Sequence, residues 1–129
     1  MPTPYTAMRL TNVKDSAKEF GVGEDMEVRF AKDELDAERT GVSHHRIKPG
    51  KRQPFAHQHD EAEEIYVVLG GSGRFKLDDE VIDVEPLDAI RVAPGVIRCF
   101  EAGPGGIEVL VVGARHDGDG RIIPGWWSD

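Results

Sequence analysis

Cysteine is nearly absent from this chain, cations are in short supply, and no long apolar run occurs. Cys99 is the only cysteine in 129 residues, so no intrachain disulfide forms and a reducing, cytoplasmic setting is expected. Sixteen Lys and Arg stand against 24 Asp and Glu, a net charge of −8, which disfavours a nucleic acid or an anionic membrane as partner. No stretch approaches the roughly 20 apolar residues that span a bilayer, and the N-terminus lacks the apolar segment of a signal peptide. No Ser/His/Asp order, phosphate loop or paired-cysteine zinc motif is present.

What is present reads as β-structure. Length predicts one domain over residues 1–129, with a core at about 41–113, an N-terminal arm at 1–40 and a C-terminal tail at 114–129. Short alternating segments at Met26–Phe30, Gly41–Ile47, Glu64–Leu69, Arg74–Leu77, Val81–Val84, Ala89–Val92, Val96–Phe100 and Ile107–Val112 are set apart by Gly, Pro or acidic turns. This spacing predicts an all-β sandwich or barrel. Val13–Phe20, stopped by Gly21, predicts a short helical turn, and Ala31–Glu38 a helical turn or loop. The tail from Gly113 is expected to be loop-like, with Trp126-Trp127 in need of cover.

The chemistry centres on His57 and His59. Alternate residues of a strand share a face, so the two imidazoles point the same way about 7 Å apart. A hairpin through the polar Asp60-Glu61-Ala62-Glu63 stretch would return Glu64 beside them. Two imidazoles and a carboxylate are a coordination set for a divalent transition metal such as Fe, Mn, Ni or Zn. A one-residue register slip would exchange Glu64 for Glu63. Tyr66 and Val68 share parity with Glu64, and Phe55 with His57, so Tyr66 and Phe55 are candidate substrate-binding residues. Phe75, Leu77, Ile90, Val92 and Phe100 are further candidates for the lining. Of the adjacent His44 and His45, only one can face the interior.

Gly50 to Gly71 resembles the first motif of the cupins: a glycine, six residues where the family usually has five, His57-x-His59, four residues, Glu64, six residues and Gly71. Leu87 to Arg98, with its Pro94-Gly95 turn, resembles the second motif. The resemblance covers roughly residues 41–113 and implies a double-stranded β-helix, or jelly-roll barrel, with a site inside its wider end. It also implies frequent dimerisation and a range of chemistries. The apolar residues Ile65, Val67 and Leu69, facing away from the pocket, likewise predict a homodimer unless the arm or tail covers them.

Two departures bear on function. Where metal-binding cupins have a glycine and a histidine ligand in the second motif, this chain has Leu87 and Arg98. Arginine stays protonated and cannot coordinate a cation. At about 5 Å, with an effective dielectric near 20, it would repel a divalent ion by roughly 6 to 7 kcal/mol. Three arrangements remain open. Arg98 turns aside, or pairs with Glu64 in place of a metal, or anchors an anionic group of a metal-bound substrate. If Arg98 faces inward, Cys99 faces out as a packing residue. The leading expectation is a metal-dependent enzyme acting on a small organic substrate, with Arg98 orienting an anionic group of it. The alternatives are a non-catalytic or metal-free small-ligand binder with an Arg98–Glu64 pair, and a structural dimer module.

Overall fold

Antiparallel pairing organises the whole molecule. The computed structural model describes residues 4–114 and 118–128, and these form eight strands: β1 (Met26–Phe30), β2 (Thr40–Ile47), β3 (Phe55–His59), β4 (Glu64–Leu77), β5 (Glu80–Val84), β6 (Ala89–Val92), β7 (Arg98–Ala114) and β8 (Gly120–Pro124). They curl into the all-β, jelly-roll barrel of a double-stranded β-helix. The 17-residue β7 is its spine. Its second half lies between β2 (Val42↔Val112) and the first half of β4 (Ile65↔Val112). Its first half pairs with the far end of β4 (Phe75↔Phe100) and meets β3 at His57↔Arg98.

The Gly70-Gly71-Ser72-Gly73 segment, expected to separate two strands, is a bend inside one. β4 runs for 14 residues, with register shifts at Val68/Gly70 and Gly71/Gly73. Such bulges bend a strand without ending it. A Cβ on Gly71 (φ +73°) would lie 2.1 Å from the Gly106 carbonyl oxygen, and one on Gly73 equally close to that of Glu101. Glycine is what lets the bent strand close against β7.

Three further expectations are corrected. The 3-10 helix is at Leu10–Asn12, whereas Ser16–Gly21 forms successive i→i+3 turns, opened by the Asp15 carboxylate on the Ala17 amide and closed at Gly21 (φ +74°) before a continuous helix can build. The tail is not all loop: β8 pairs with β3 from Phe55↔Pro124 to His59↔Gly120. β8 therefore takes the edge of β3 that a β3–β4 hairpin would have used, and Glu64 reaches the histidines from a different wall.

Aromatic packing fills the barrel below Tyr66. Phe75 and Phe100 stack with ring centroids 3.7 Å apart and planes 4° from parallel, and Tyr66 lies over them at 5.0 and 5.6 Å. Each buried phenyl ring contributes about 2–3 kcal/mol by removal from water. Phe75, Val92 and Phe100 thus belong to the core, Leu77 and Ile90 pack against it, and none of the five lines the cavity. Outside, Trp127 covers Ala56 and Cys99, with the Arg52 guanidinium 4.2 Å above its ring. Cys99 faces outward into that layer, and burial pushes its thiol up to about 12, which fits packing rather than nucleophilic duty. The opposite wall keeps Ile65 and Leu69 42% and 43% exposed. Leu87 adopts φ +73°, the left-handed region that glycine enters without strain, which accounts for the glycine at that place in the cupin motif. Among the described residues no helix is long and apolar enough to cross a membrane.

Candidate functional site

A cavity of about 520 Å³ opens between β1, β2, β3, the start of β4 and the end of β7. Strand alternation decides what lines it. Phe55, His57 and His59 project inward from β3, and Glu64 and Tyr66 from β4. Glu63 lies outside, 3.4 Å from Arg91, so the register places Glu64 and not its neighbour in the site.

At the floor, Glu64 Oε1 lies 3.5 Å from His57 Nε2 and 3.4 Å from His59 Nε2, and one ligand atom from each of the three residues falls within 4.8 Å of the others. The imidazole centroids are 5.2 Å apart, less than the strand repeat because the rings lean together. The Tyr66 hydroxyl donates to Glu64 Oε1 at 2.7 Å and stands 3.1 Å from His57 Nε2. Burial alone would raise the Glu64 pKa, but the bonds from His57, His59 and Tyr66 outweigh it and hold the carboxyl well below the usual range. Burial lowers the His57 pKa against the opposing pull of Glu64, so this imidazole is held neutral. The bond to Glu64 raises that of His59. Burial and the Glu64 charge push Tyr66 well above 10, keeping its proton in place.

Arg98 faces inward, opposite His57 in the ladder, and is 1% exposed. Its Nη2 is 3.9 Å from Glu64 Oε1, beyond hydrogen-bonding distance, and none of its three guanidinium nitrogens has a hydrogen-bond partner. It does not line the open cavity. Arg98 is therefore not turned outward, and its pairing with Glu64 is a long ion pair without a hydrogen bond. A charged donor group sits behind the floor with its hydrogen-bonding capacity unspent.

Asp119 was not singled out by the sequence, because it lies in the stretch expected to be loop. Its Oδ1 accepts the Asp60 and Glu61 amides at 2.8 Å, its Oδ2 accepts that of Ala62 at 3.0 Å, and Oδ2 lies 3.3 Å from His59 Nδ1. Burial raises its pKa, yet the three amides more than compensate and keep it ionised. The contact with His59 is electrostatic, since Nδ1 of that ring has no hydrogen-bond partner; a carboxylate so placed favours a proton on the distal ring nitrogen and strengthens the imidazole as a ligand. The only sequence signal was the Gly-Asp-Gly setting at residues 118–120. His44 faces away from the cavity, 2.6 Å from Glu108. His45 lines the cavity, with Nε2 2.9 Å from Ser43 Oγ, and burial takes its pKa down to about 4.

The sequence matches the Cupin domain family over residues 43–113. The chain is a cupin. No curated protein matches it. Among solved structures, this cupin is similar to a cupin protein from Bacteroides fragilis (24% identity, 91% of this chain and 89% of that chain, TM-score 0.72). It is also similar to the polyketide cyclase RemF from Streptomyces resistomycificus (23%, 96% and 87%, TM-score 0.74) and to oxalate decarboxylase from Bacillus subtilis (21%, 94% and 33%, TM-score 0.75). At these identities the likeness carries the fold. The cavity floor of this cupin holds a group of two histidines and one glutamate with the geometry to take a metal ion.

Proposed function

We propose that this cupin is a metal-dependent enzyme acting on a small organic, anionic substrate in the barrel cavity, with His57, His59 and Glu64 holding a divalent transition metal (Fe, Mn, Ni or Zn). The observation that carries the reading is the convergence of both Nε2 atoms on one oxygen of a carboxylate held ionised. The donor set fits the ion. His57 is kept neutral, and His59 has its Nδ1 turned to Asp119, which leaves its Nε2 for coordination. A bound ion would supply Lewis acidity and lower the pKa of an oxygen coordinated to it. The remaining work falls to the protein. Phe55 walls the cavity against water, Tyr66 keeps a proton at Oη beside the floor, and Arg98 sets a positive field behind it that favours an anionic group. Two of the enzymes sharing this fold, a polyketide cyclase and an oxalate decarboxylase, lend the reading support by fold analogy alone.

A metal-free, non-catalytic ligand binder is the second reading. It is favoured by Arg98 Nη2 at 3.9 Å and the Tyr66 hydroxyl at 2.7 Å from the same Glu64 oxygen, contacts that balance the carboxylate without an ion. Elemental analysis of untagged protein, purified without chelator, separates the two. Near-stoichiometric metal that disappears in His57→Ala and His59→Ala supports the enzyme; wild-type protein still metal-free after loading with Fe, Mn, Ni and Zn sinks it.

A homodimer through the Ile65, Val67 and Leu69 wall belongs to the same proposal, as does a cytoplasmic setting in keeping with one buried thiol. Sedimentation equilibrium should show a dimer that Ile65→Lys/Leu69→Lys converts to monomer. A wild-type monomer throughout the accessible concentration range would count against that wall as an interface.

A further inference from the structure

Aromatic residues are scarce in this chain, and their placement is uneven. Of its five phenylalanines, Phe75 and Phe100 stack in the core, while Phe20, Phe30 and Phe55 line the cavity. Phe20 and Phe30 stay 47% and 49% exposed, against 0% for Phe75. Half-exposed phenyl rings at a cavity mouth do little for the fold and mark a surface suited to an apolar occupant.

The rings form a series. Phe20 packs edge-to-face with Phe30 at 6.3 Å and with Phe55 at 6.4 Å. Phe30 continues the pattern to His45 at 6.3 Å and 88°, and the His57–His59 pair repeats it at the floor. Aromatic groups favour one another at such separations and angles beyond what buried area gives. A flat ring entering this cavity meets aromatic partners from mouth to floor.

Around the cavity, unspent polar capacity lies at His45 Nδ1 on the side wall, at His59 Nδ1 on the floor and at the Arg98 guanidinium behind it, and only the last carries a fixed charge. On the side walls, Ser43 Oγ is engaged with His45 Nε2, and Gln53 Oε1 accepts the Phe100 amide at 2.7 Å. Behind the floor, the fully buried Arg98 guanidinium has no hydrogen-bond partner. Its charge balances that of Glu64, and an ion held by the proposed ligands would leave the floor net positive. An oxyanion is the group that such a floor takes.

We propose that the ligand of this cavity is a planar aromatic compound of one or two rings bearing a phenolic or carboxylic oxygen. Its ring lies among Phe20, Phe30 and Phe55 and its oxygen at the His57, His59 and Glu64 end. The inference rests on the reading of this cavity as the functional site, and it names the substrate class. The cavity volume of about 520 Å³ lies within the range of sites for small organic ligands.

The test uses 3-hydroxy-2-naphthoate as probe and decanoate as an aliphatic anion, each titrated calorimetrically into metal-loaded and metal-free protein, with nickel(II) binding measured separately. The expected result is naphthoate binding about tenfold tighter than decanoate, weakened about tenfold in Phe20→Ala/Phe30→Ala while nickel(II) affinity is unchanged. Phe20→Leu/Phe30→Leu keeps the apolar cover and guards against a folding defect; it should also weaken naphthoate, by about threefold or more, and leave decanoate unaffected. Decanoate binding as tightly as naphthoate, no naphthoate binding, or a Leu variant indistinguishable from wild type overturns the aromatic assignment. Nickel(II) binding without naphthoate binding removes this inference alone. Naphthoate binding without metal uptake leaves it standing and removes the metal-dependent reading.

Discussion

The first segment of β7 presents an arginine–glutamate site on each of its faces, and the two are built differently. On the outer face, Glu101 Oε2 accepts Arg52 Nε and Nη2 at 2.9 and 2.6 Å, and Oε1 accepts the same pair of Arg74 nitrogens at the same distances. Arg52 Nη1 also donates to the Trp127 carbonyl at 2.7 Å, with its plane over the indole. On the inner face, three residues earlier, Arg98 comes no closer than 3.9 Å to Glu64 and makes no hydrogen bond. The more exposed pairs are the better satisfied. Since burying an unsatisfied charge costs several kcal/mol, the outer network is what a structural clamp requires, and the inner site carries a cost that structure alone does not explain.

The clamp also serves the pocket. By fastening Trp127 it secures the tail whose β8 strand backs β3, and that tail carries Asp119 to His59. The largest expected effect therefore follows from cutting this link. Asp119→Ala should lower metal affinity about 10- to 100-fold and lower the melting temperature, because three amides lose their acceptor. Metal titration followed by thermal unfolding checks both. Unchanged affinity in a folded variant would mean that His59 needs no support from the tail, and the two sites would then be independent.

Arg98→His comes next. Replacing the fixed charge by a neutral donor removes repulsion with the ion and adds a potential ligand, so metal affinity should rise by about tenfold or more. Arg98→Met, which removes the charge without adding a ligand, should raise it less and leave stability equal or higher, as is common when apolar groups replace buried ions. Equal affinity in all three proteins would show that the Arg98 charge is not felt at the floor, and the contrast between the two faces would lose its functional meaning.

Much of this was readable from the residues. The alternation of Met26–Phe30 gives β1 with the expected bounds, and the cupin spacing from Gly50 to Gly71 brought His57, His59 and Glu64 together. The second motif left the orientation of Arg98 open, and its burial opposite His57 decides for the inward one. Unpredicted features depend on pairing between distant segments, which leaves no local pattern. Gly120–Pro124 has little alternation and becomes a strand because the edge of β3 is available to it. The glycines at 70–73 looked like a break because composition does not distinguish a turn from a bulge; the backbone of Gly106 and Glu101 pressing on them makes the difference. Asp119 acts through amides that sit about sixty residues earlier in the chain.

The smallest effect should come from the outer clamp, and its pH dependence distinguishes it from the floor. Burial tends to raise the Glu101 pKa, but the Arg74 and Arg52 bonds prevail and bring it below its ordinary 4.5. A carboxylate with a depressed folded pKa adds stability that is present above the unfolded value and disappears as pH falls through the folded one. Glu101→Gln should thus cost about 1 kcal/mol near neutrality after solvent screening of the half-exposed Arg74, with the difference from wild type shrinking as pH drops below about 4.5. Urea unfolding across that window measures it, alongside metal titration at neutral pH. With the clamp loosened but not removed, metal affinity should match wild type. A loss of affinity as large as that of Asp119→Ala would mean instead that the outer arginines position the floor directly, and that the two faces of β7 form one site.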